Sequence, residues 1–327
     1  MFKIGDIEIK GKVILAPMAG ISSFAYRDFM SDFDIDLSVT EMVSDMGLIY
    51  GNKETKTYID FPKGKVPTGV QLFGHDPECL KQALLIVEKE NPNVAFYDVN
   101  MGCPVPKVVN TGAGSALMKN PKLCGDIIRA LKSVTSKPVT AKIRLGWDKG
   151  SINFKEVIEE LEKAGVDMIA IHARTRKQLY QGIPDWDLLK DLGNNMHVPL
   201  VISGNIFTVE DAVAALDITK ADAVMVARGA VGNPLLARNI NRYYRGEELE
   251  ETSLEKQIEF CKEHARRLVK EKGELIGMKV FRGIGPQYFS GFPNIKQLKN
   301  RISLEVNTYD DLDKILSEYV ANLGNKD

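Results

Sequence analysis

Short apolar runs rich in β-branched residues recur along the first three quarters of the chain, separated by segments in which apolar residues follow a helical period. The runs are Val13–Ala16, Leu37–Met42, Gly69–Phe73, Ala95–Met101, Val139–Leu145, Met168–Ala173, Leu200–Ser203 and Ala223–Ala227, eight in all. Short, nearly continuous apolar runs of this kind fit strands covered on both faces. Between them, residues 78–90, 121–134, 153–165 and 208–218 read as amphipathic helices. Pro77, Asn120-Pro121, Asn153 and Thr208 stand where first-turn prolines or N-caps belong, and Gly165 follows a helix end. Strand-then-helix units repeated eight times predict an α/β fold: a parallel (β/α)8 TIM barrel over residues 1–244. FKIGDIEIKG at its entry alternates around Gly5-Asp6, which predicts a small hairpin. Residues 245–253 read as a polar, acidic linker. Residues 254–327 carry helical patterns only and predict a small all-helical C-terminal domain.

Composition narrows the class. With 327 residues, 44% of them hydrophobic, the chain can bury a full core. No stretch approaches the ~18 apolar residues of a membrane span, and the first residues, MFKIGDIEIKGKV, lack an apolar signal core. The expectation is a soluble, cytoplasmic protein with no membrane contact. Cys79, Cys103, Cys124 and Cys261 show no C-x-x-C pairing and no histidine at ligand spacing, so neither a metal site nor a disulfide framework is expected. The net charge of −1 hides an asymmetry: residues 255–301 hold eleven Lys and Arg against five Glu. That is either a solvated helix face or an electrostatic footprint for nucleic acid.

In a parallel barrel the functional side chains stand where strands end. Read off in order, those positions are Pro17-Met18-Ala19-Gly20, Glu41-Met42, Gln71, Asn100 with Cys103, Lys142 with Arg144, His172 with Arg174, Ser203-Gly204-Asn205, and Arg228-Gly229. Cys103 lies between Gly102 and Pro104, where a strand must run out because proline has no N–H and restricts the residue before it. A thiol there is a nucleophile, a metal ligand or a proton donor, with a packing cysteine as the even alternative. SGNI and ARGAVGNP are Gly-rich loops each leading into a helix. Together they favour a phosphate held on backbone N–H groups, with Arg228 as counter-charge; either alone is an ordinary tight turn. Lys142, in an otherwise apolar strand, suits an anion or a Schiff base, and His172 suits ligand contact. His75, His197 and His264 read as structural, and Cys79, Cys124 and Cys261 as packing residues. GAGSAL lacks the third glycine and the preceding strand of a dinucleotide fingerprint.

LAPMAG, TEMVS, QLFG, DVNMGCPVPKV, GAGSALMKNP, KIRLGW, IHARTR, SGNI and VARGAVGNP, in this order along the barrel, resemble the motifs of the tRNA dihydrouridine synthases. The helical tail resembles that family's tRNA-binding domain more loosely. Ser203-Gly204-Asn205 stands where many members have Asn-Gly-Asp, Ala227 where many have Gly, and RGIGPQYFSG lacks a Lys-His pair common in the tail. The resemblance implies an oxidoreductase, a tRNA-dihydrouridine synthase (NAD(P)+), that reduces the C5–C6 bond of specific uridines in tRNA with FMN as cofactor and NADPH or NADH as electron donor. It places Pro17, Met18 and Ala19 against the isoalloxazine, and Gln71, Lys142 and His172 in hydrogen bonds to it. Ser203, Gly204, Asn205, Ala227 and Arg228 would hold the phosphate. Cys103 would be the proton donor, with Asn100 and Arg174 as substrate contacts. The chemistry agrees: saturating uracil needs a hydride at C6 and a proton at C5, and a thiol with an ordinary pKa near ~8.5 is mostly protonated at neutral pH. The target base lies inside a folded tRNA, so it must be swung out to react. The competing readings are an FMN barrel reducing a free pyrimidine, a flavin-free aldolase-type lyase using Lys142, and a tRNA-binding module without catalysis. The intact set of Cys103, Lys142 and His172 speaks against the last.

Overall fold

The computed structural model describes residues 1–292 and 295–324. Strands β1 (Phe2–Ile4) and β2 (Ile7–Ile9) form the expected antiparallel hairpin. Eight further strands follow: β3 (Val13–Leu15), β4 (Leu37–Ser44), β5 (Thr68–Phe73), β6 (Phe96–Asn100), β7 (Val139–Arg144), β8 (Met168–His172), β9 (Leu200–Ser203) and β10 (Ala223–Val226). They close into one parallel barrel in chain order, and β10 pairs with β3 at Val224↔Val13 to complete the ring. The fold is the (β/α)8 TIM barrel that the eight runs predict.

Side chains alternate across each strand, so one face of every strand fills the barrel and the other packs against helices. Ile14, Leu37, Phe96, Met168, Val201 and Ala223 pack together with Ile4 and Ile9 of the hairpin in a core of their own. The hairpin thus adds two fully buried isoleucines to the barrel interior. Gly69, register partner of Phe96, leaves the space that the Phe96 ring occupies; a Cβ there would collide with it. Small opposite large is how such interiors reach close packing.

Around the barrel run α1 (Phe24–Met30), α2 (Asp45–Ile49), α3 (Lys53–Thr57), α4 (Pro77–Glu90), α5 (Pro106–Val109), α6 (Pro121–Lys132), α7 (Phe154–Lys163), α8 (Val209–Thr219) and α9 (Leu235–Arg245). Asp76 and Asn120 cap α4 and α6, each with proline at the helix start, and Thr208 forms a capping box with Asp211 on α8. Asn153, at the start of α7, turns its amide instead to the Met118 carbonyl at 2.7 Å. The strand-then-helix pattern breaks once. After β8 there is no α-helix, only short 3-10 turns at Asp187–Leu189 and Leu192–Asn195. Gly182, Pro184 and Gly193 interrupt that segment, and a Cβ on Gly193 would strike the Lys220 carbonyl.

The tail consists of α10 (Leu254–Lys272), α11 (Glu274–Phe281), a 3-10 turn at Gly285–Phe289, α12 (Ile295–Glu305) and α13 (Tyr309–Gly324). No helix among the described residues is long and apolar enough to cross a membrane. α10 docks on α1. The Glu271 carboxylate accepts the Ala25 N–H at 2.7 Å, and Arg267 pairs with Asp28 at 2.9 Å and Asp32 at 2.5 Å. His264 stacks on Phe29 with centroids 5.3 Å apart and shares a hydrogen with Tyr288 at 2.9 Å. Residues 247–253 lie along α9, where Glu250 meets Arg238 at 3.3 Å and Arg242 at 3.4 Å.

Cutting the chain after Gly246 uncovers Tyr26, Phe29 and Phe33, all now buried. Uncovering a buried aromatic or aliphatic side chain costs about 1.5 to 3 kcal/mol. The truncated barrel is expected to unfold at a clearly lower urea concentration than the full chain. Fluorescence of Trp147 and Trp186, both in the barrel, reads this directly. Equal midpoints would show that the tail adds nothing to barrel stability.

Candidate active site

At the C-terminal ends of the strands lies a cavity of about 310 Å³, within the range of small-molecule and cofactor sites. Thirteen of the expected site residues line it: Pro17, Met18, Ala19, Gln71, Asn100, Cys103, Lys142, His172, Ser203, Gly204, Asn205, Ala227 and Arg228. Arg174 does not reach it. Its side chain is fully buried behind the wall, donating to the Gln181 carbonyl at 3.1 Å, the Gly182 carbonyl at 2.5 Å and Asn205 Oδ1 at 3.0 Å.

Beneath the cavity runs a chain of buried hydrogen bonds. Thr140 Oγ1 donates to Asp98 Oδ1 and Gln71 Nε2 to Asp98 Oδ2, both at 2.6 Å. Asn100 Nδ2 donates to Gln71 Oε1 at 2.8 Å. Asn100 Oδ1 then accepts the N–H groups of Gly102 at 3.1 Å and Cys103 at 2.8 Å. From the other side, the Cys103 carbonyl accepts Ser115 N–H at 3.1 Å and Ser115 Oγ at 2.9 Å. The Cys103 turn is therefore fixed at both ends. Gln71 and Asn100 are each left with one amide hydrogen to offer a ligand.

The electrostatics of the mouth follow from burial and from four cations. Burial raises the Cys103 thiol above its ordinary value, with Arg144 and Lys142 opposing, so it stays protonated at neutral pH. Burial lowers the Lys142 ammonium to about 8, helped by Arg144. His172 is driven well below its usual value by burial and by Lys142, Arg144, Arg174 and Arg228, and is neutral. Arg174 Nη1 lies 3.3 Å from His172 Nε2; a guanidinium can only donate, so the imidazole proton sits on Nδ1. The Lys142 ammonium, half-buried in the cavity wall, makes no hydrogen bond among the described residues. An anionic or carbonyl-rich ligand would give it one.

The two Gly-rich loops pack backbone to backbone: a Cβ on Gly229 would collide with the Ile206 carbonyl. Asn205 adopts a left-handed φ of 52°, which Asn tolerates better than most residues. No backbone carbonyl among the described residues accepts the amides of Gly204, Asn205, Ala227 or Arg228. Four such N–H groups beside the Arg228 guanidinium suit a phosphate. The donor set thus fits a ligand that carries a phosphate. No group of three or more His, Cys, Asp or Glu placed for a metal occurs among the described residues.

Some functional residues escape a sequence reading. Asp98 and Thr140 lie two residues before Asn100 and Lys142 and so share their inward face, a signal the strand period carries. Tyr180 comes from the helix-free loop after β8. Its ring lies 5.1 Å from Arg228, 5.5 Å from Arg144 and 6.1 Å from the His172 ring at the cavity rim. No pattern in the sequence marks it. A second cavity of about 790 Å³ shares Ala19 and Ile21 with the first and extends to Leu268, Lys272 and Ile276 of the tail.

A family model described as dihydrouridine synthase (Dus) matches residues 14–322. A probable tRNA-dihydrouridine synthase of Rickettsia bellii is 33% identical over 323 residues, spanning 98% of both chains. A tRNA-dihydrouridine synthase B of Shewanella oneidensis is 34% identical over 281 residues, 86% of this chain and 87% of the relative.

Proposed function

The chain belongs to the dihydrouridine synthase family, and from that premise we propose that it reduces the C5–C6 bond of specific uridines in tRNA, with FMN at the barrel mouth and NADPH or NADH as electron donor. The observation that carries the reading is the meeting of Cys103, Lys142 and His172 with the two Gly-rich loops in one cavity. FMN, when bound, would supply the two-electron hydride chemistry that saturating uracil at C6 requires. The rest is the work of the chain. Lys142, Gln71 and His172 would hold the ring, and Arg228 with the amides of Gly204, Asn205 and Ala227 the phosphate. Cys103 Sγ–H gives its proton to C5 and is reprotonated from solvent, so hydride and proton together add two hydrogens to the base. The free amide hydrogen of Asn100 would meet a uracil carbonyl.

The cavity that runs on from the mouth to the tail favours a macromolecular substrate over a free pyrimidine. A lowered Lys142 pKa also suits a Schiff base, but family membership sets the lyase reading aside. tRNA from cells lacking this protein should lose dihydrouridine at defined positions; an unchanged dihydrouridine map would refute the function.

Phosphate retention gives a separate prediction. Arg228→Ala removes a charge-assisted contact worth about 1.5 to 3 kcal/mol, so its FMN affinity should fall about tenfold or more. Fluorescence titration of the flavin-free protein measures it, and unchanged affinity would remove Arg228 from the phosphate site.

A further inference from the structure

The loop after β10 that carries Arg228 also faces the tail, across a third cavity of about 500 Å³, within the range of small-molecule sites. Gly232 in that loop holds a left-handed φ of 74°, and a Cβ there would collide with the Gln287 backbone, so barrel loop and tail turn meet main chain to main chain. Gln257 of α10 lines the cavity at only 6% exposure and donates Nε2 to the Gly232 carbonyl at 3.2 Å. That bond fixes which way the amide faces, and Oε1 is left with no partner among the described residues. Buried acceptors without a donor are uncommon. Asn233, Thr252, Gln287 and Ser290 add further amides and hydroxyls to the wall, and Phe207 and Phe292 add two rings. Among the described residues no Asp or Glu lines this cavity. The cavity that leaves the mouth past Ala19 is lined by Glu41, Glu54, Asp60 and Glu271 against Arg27 and Lys272.

The mouth and the third cavity share Phe207, Arg228 and Gly229, so one leads directly into the other. A nicotinamide dinucleotide is two nucleosides joined through a diphosphate. With its nicotinamide at the mouth, its adenosine half must pass over an edge of the mouth. On the Ala19 side the diphosphate meets four carboxylates; on the Arg228 side it meets a guanidinium and none. We propose that the third cavity seats the adenosine half of the nicotinamide dinucleotide, with Gln257 Oε1 accepting a hydrogen from its hydroxyl or amino groups. The uncharged amides and hydroxyls of the wall match the ribose and the adenine edge, and the phenylalanine rings match the adenine face.

The inference rests on the electron donor of the proposed function, and its test separates the two. The full-length, FMN-loaded protein is mixed anaerobically with NADPH or with reduced nicotinamide mononucleotide, which lacks the adenosine half, and flavin bleaching is followed. Wild type is compared with Gln257→Met, which removes the amide at similar size, and with Thr252→Trp, which fills the cavity from an exposed position where folding is not at stake. The half-saturating NADPH concentration should rise about fivefold or more in both variants. The bleaching rate at saturation, and the half-saturating mononucleotide concentration, should stay within about twofold of wild type, because only binding of the remote half is lost. Independently of turnover, saturation-transfer NMR on the oxidised, FMN-loaded protein should show 5′-AMP bound through its adenine protons, with the signal lost in Thr252→Trp. Unchanged NADPH saturation in Thr252→Trp, or equal weakening toward the mononucleotide, would overturn the site. So would a fall in tRNA affinity with NADPH saturation unchanged, which would give the cavity to RNA. A wild-type flavin that neither donor bleaches would overturn the proposed electron donor and this seat with it.

Discussion

Cys103→Ala is expected to bind FMN and to bleach on addition of NADPH, yet to form dihydrouridine in tRNA about 10² to 10⁴ times more slowly than wild type, the usual loss for a positioned general acid. Cys103 is held through its backbone, by Asn100 on one side and Ser115 on the other, so the turn survives loss of the thiol. What the substitution removes is a proton donor at the mouth whose burial keeps it protonated. The pH profile follows from the same shift. The acid must carry its proton, and its pKa lies above that of a free thiol. The wild-type rate should therefore show a fall as pH rises past the raised thiol value, above the titration of Lys142 at about 8. The Cys103→Ala residual rate should lack that fall. A buried cysteine that merely fills space would leave tRNA reduction near wild type in the same variant.

Asp98→Ala should be the most destabilising single change at the site. Asp98, Gln71 and Thr140 are all buried at 1% exposure or less. Removing the carboxylate takes the buried acceptor from Gln71 Nε2 and leaves Thr140 Oγ1 only the Tyr97 carbonyl at 3.4 Å. Orphaning one buried group costs about 1 to 3 kcal/mol, a sizeable share of the roughly 5 to 15 kcal/mol that holds a typical protein folded. Asp98→Asn keeps one acceptor and should cost less. Burial raises the Asp98 carboxyl pKa, which favours the protonated acid in the folded state. Its contribution is therefore full at low pH and declines as pH rises through the folded value, so the gap between wild type and Asp98→Asn should narrow with rising pH. Equilibrium urea unfolding at several pH values reads both effects. An Asp98→Ala variant within about 0.5 kcal/mol of wild type, the range of an unremarkable surface change, would show that the network carries no stability.

The barrel is legible because parallel strands buried on both faces leave continuous apolar runs, and all eight appear within about two residues of where they stand. Strand ends then point to the mouth, which is why thirteen site residues meet in one cavity. What escapes the sequence depends on distance in space. Arg174 stands two residues past the strand that His172 ends, yet its guanidinium turns away to carbonyls seven and eight residues on. The basic stretch of the tail is less free than its composition suggests. Arg267 is spent on Asp28 and Asp32, and Arg301 on Glu305 and Glu318, acids outside the stretch itself. Lys270, Lys279, Lys296 and Lys299 form no ion pair among the described residues and remain for a polyanion. Short helices such as α2 and α5 span too few residues to show a period.

The most direct test of the central claim is to mix the purified, FMN-loaded and pre-reduced protein anaerobically with either unmodified tRNA or free uracil, and to weigh the products by mass spectrometry. The account predicts that tRNA gains two hydrogens at defined uridines in a single turnover while free uracil is left unchanged. Rapid reduction of free uracil with tRNA left untouched would contradict it.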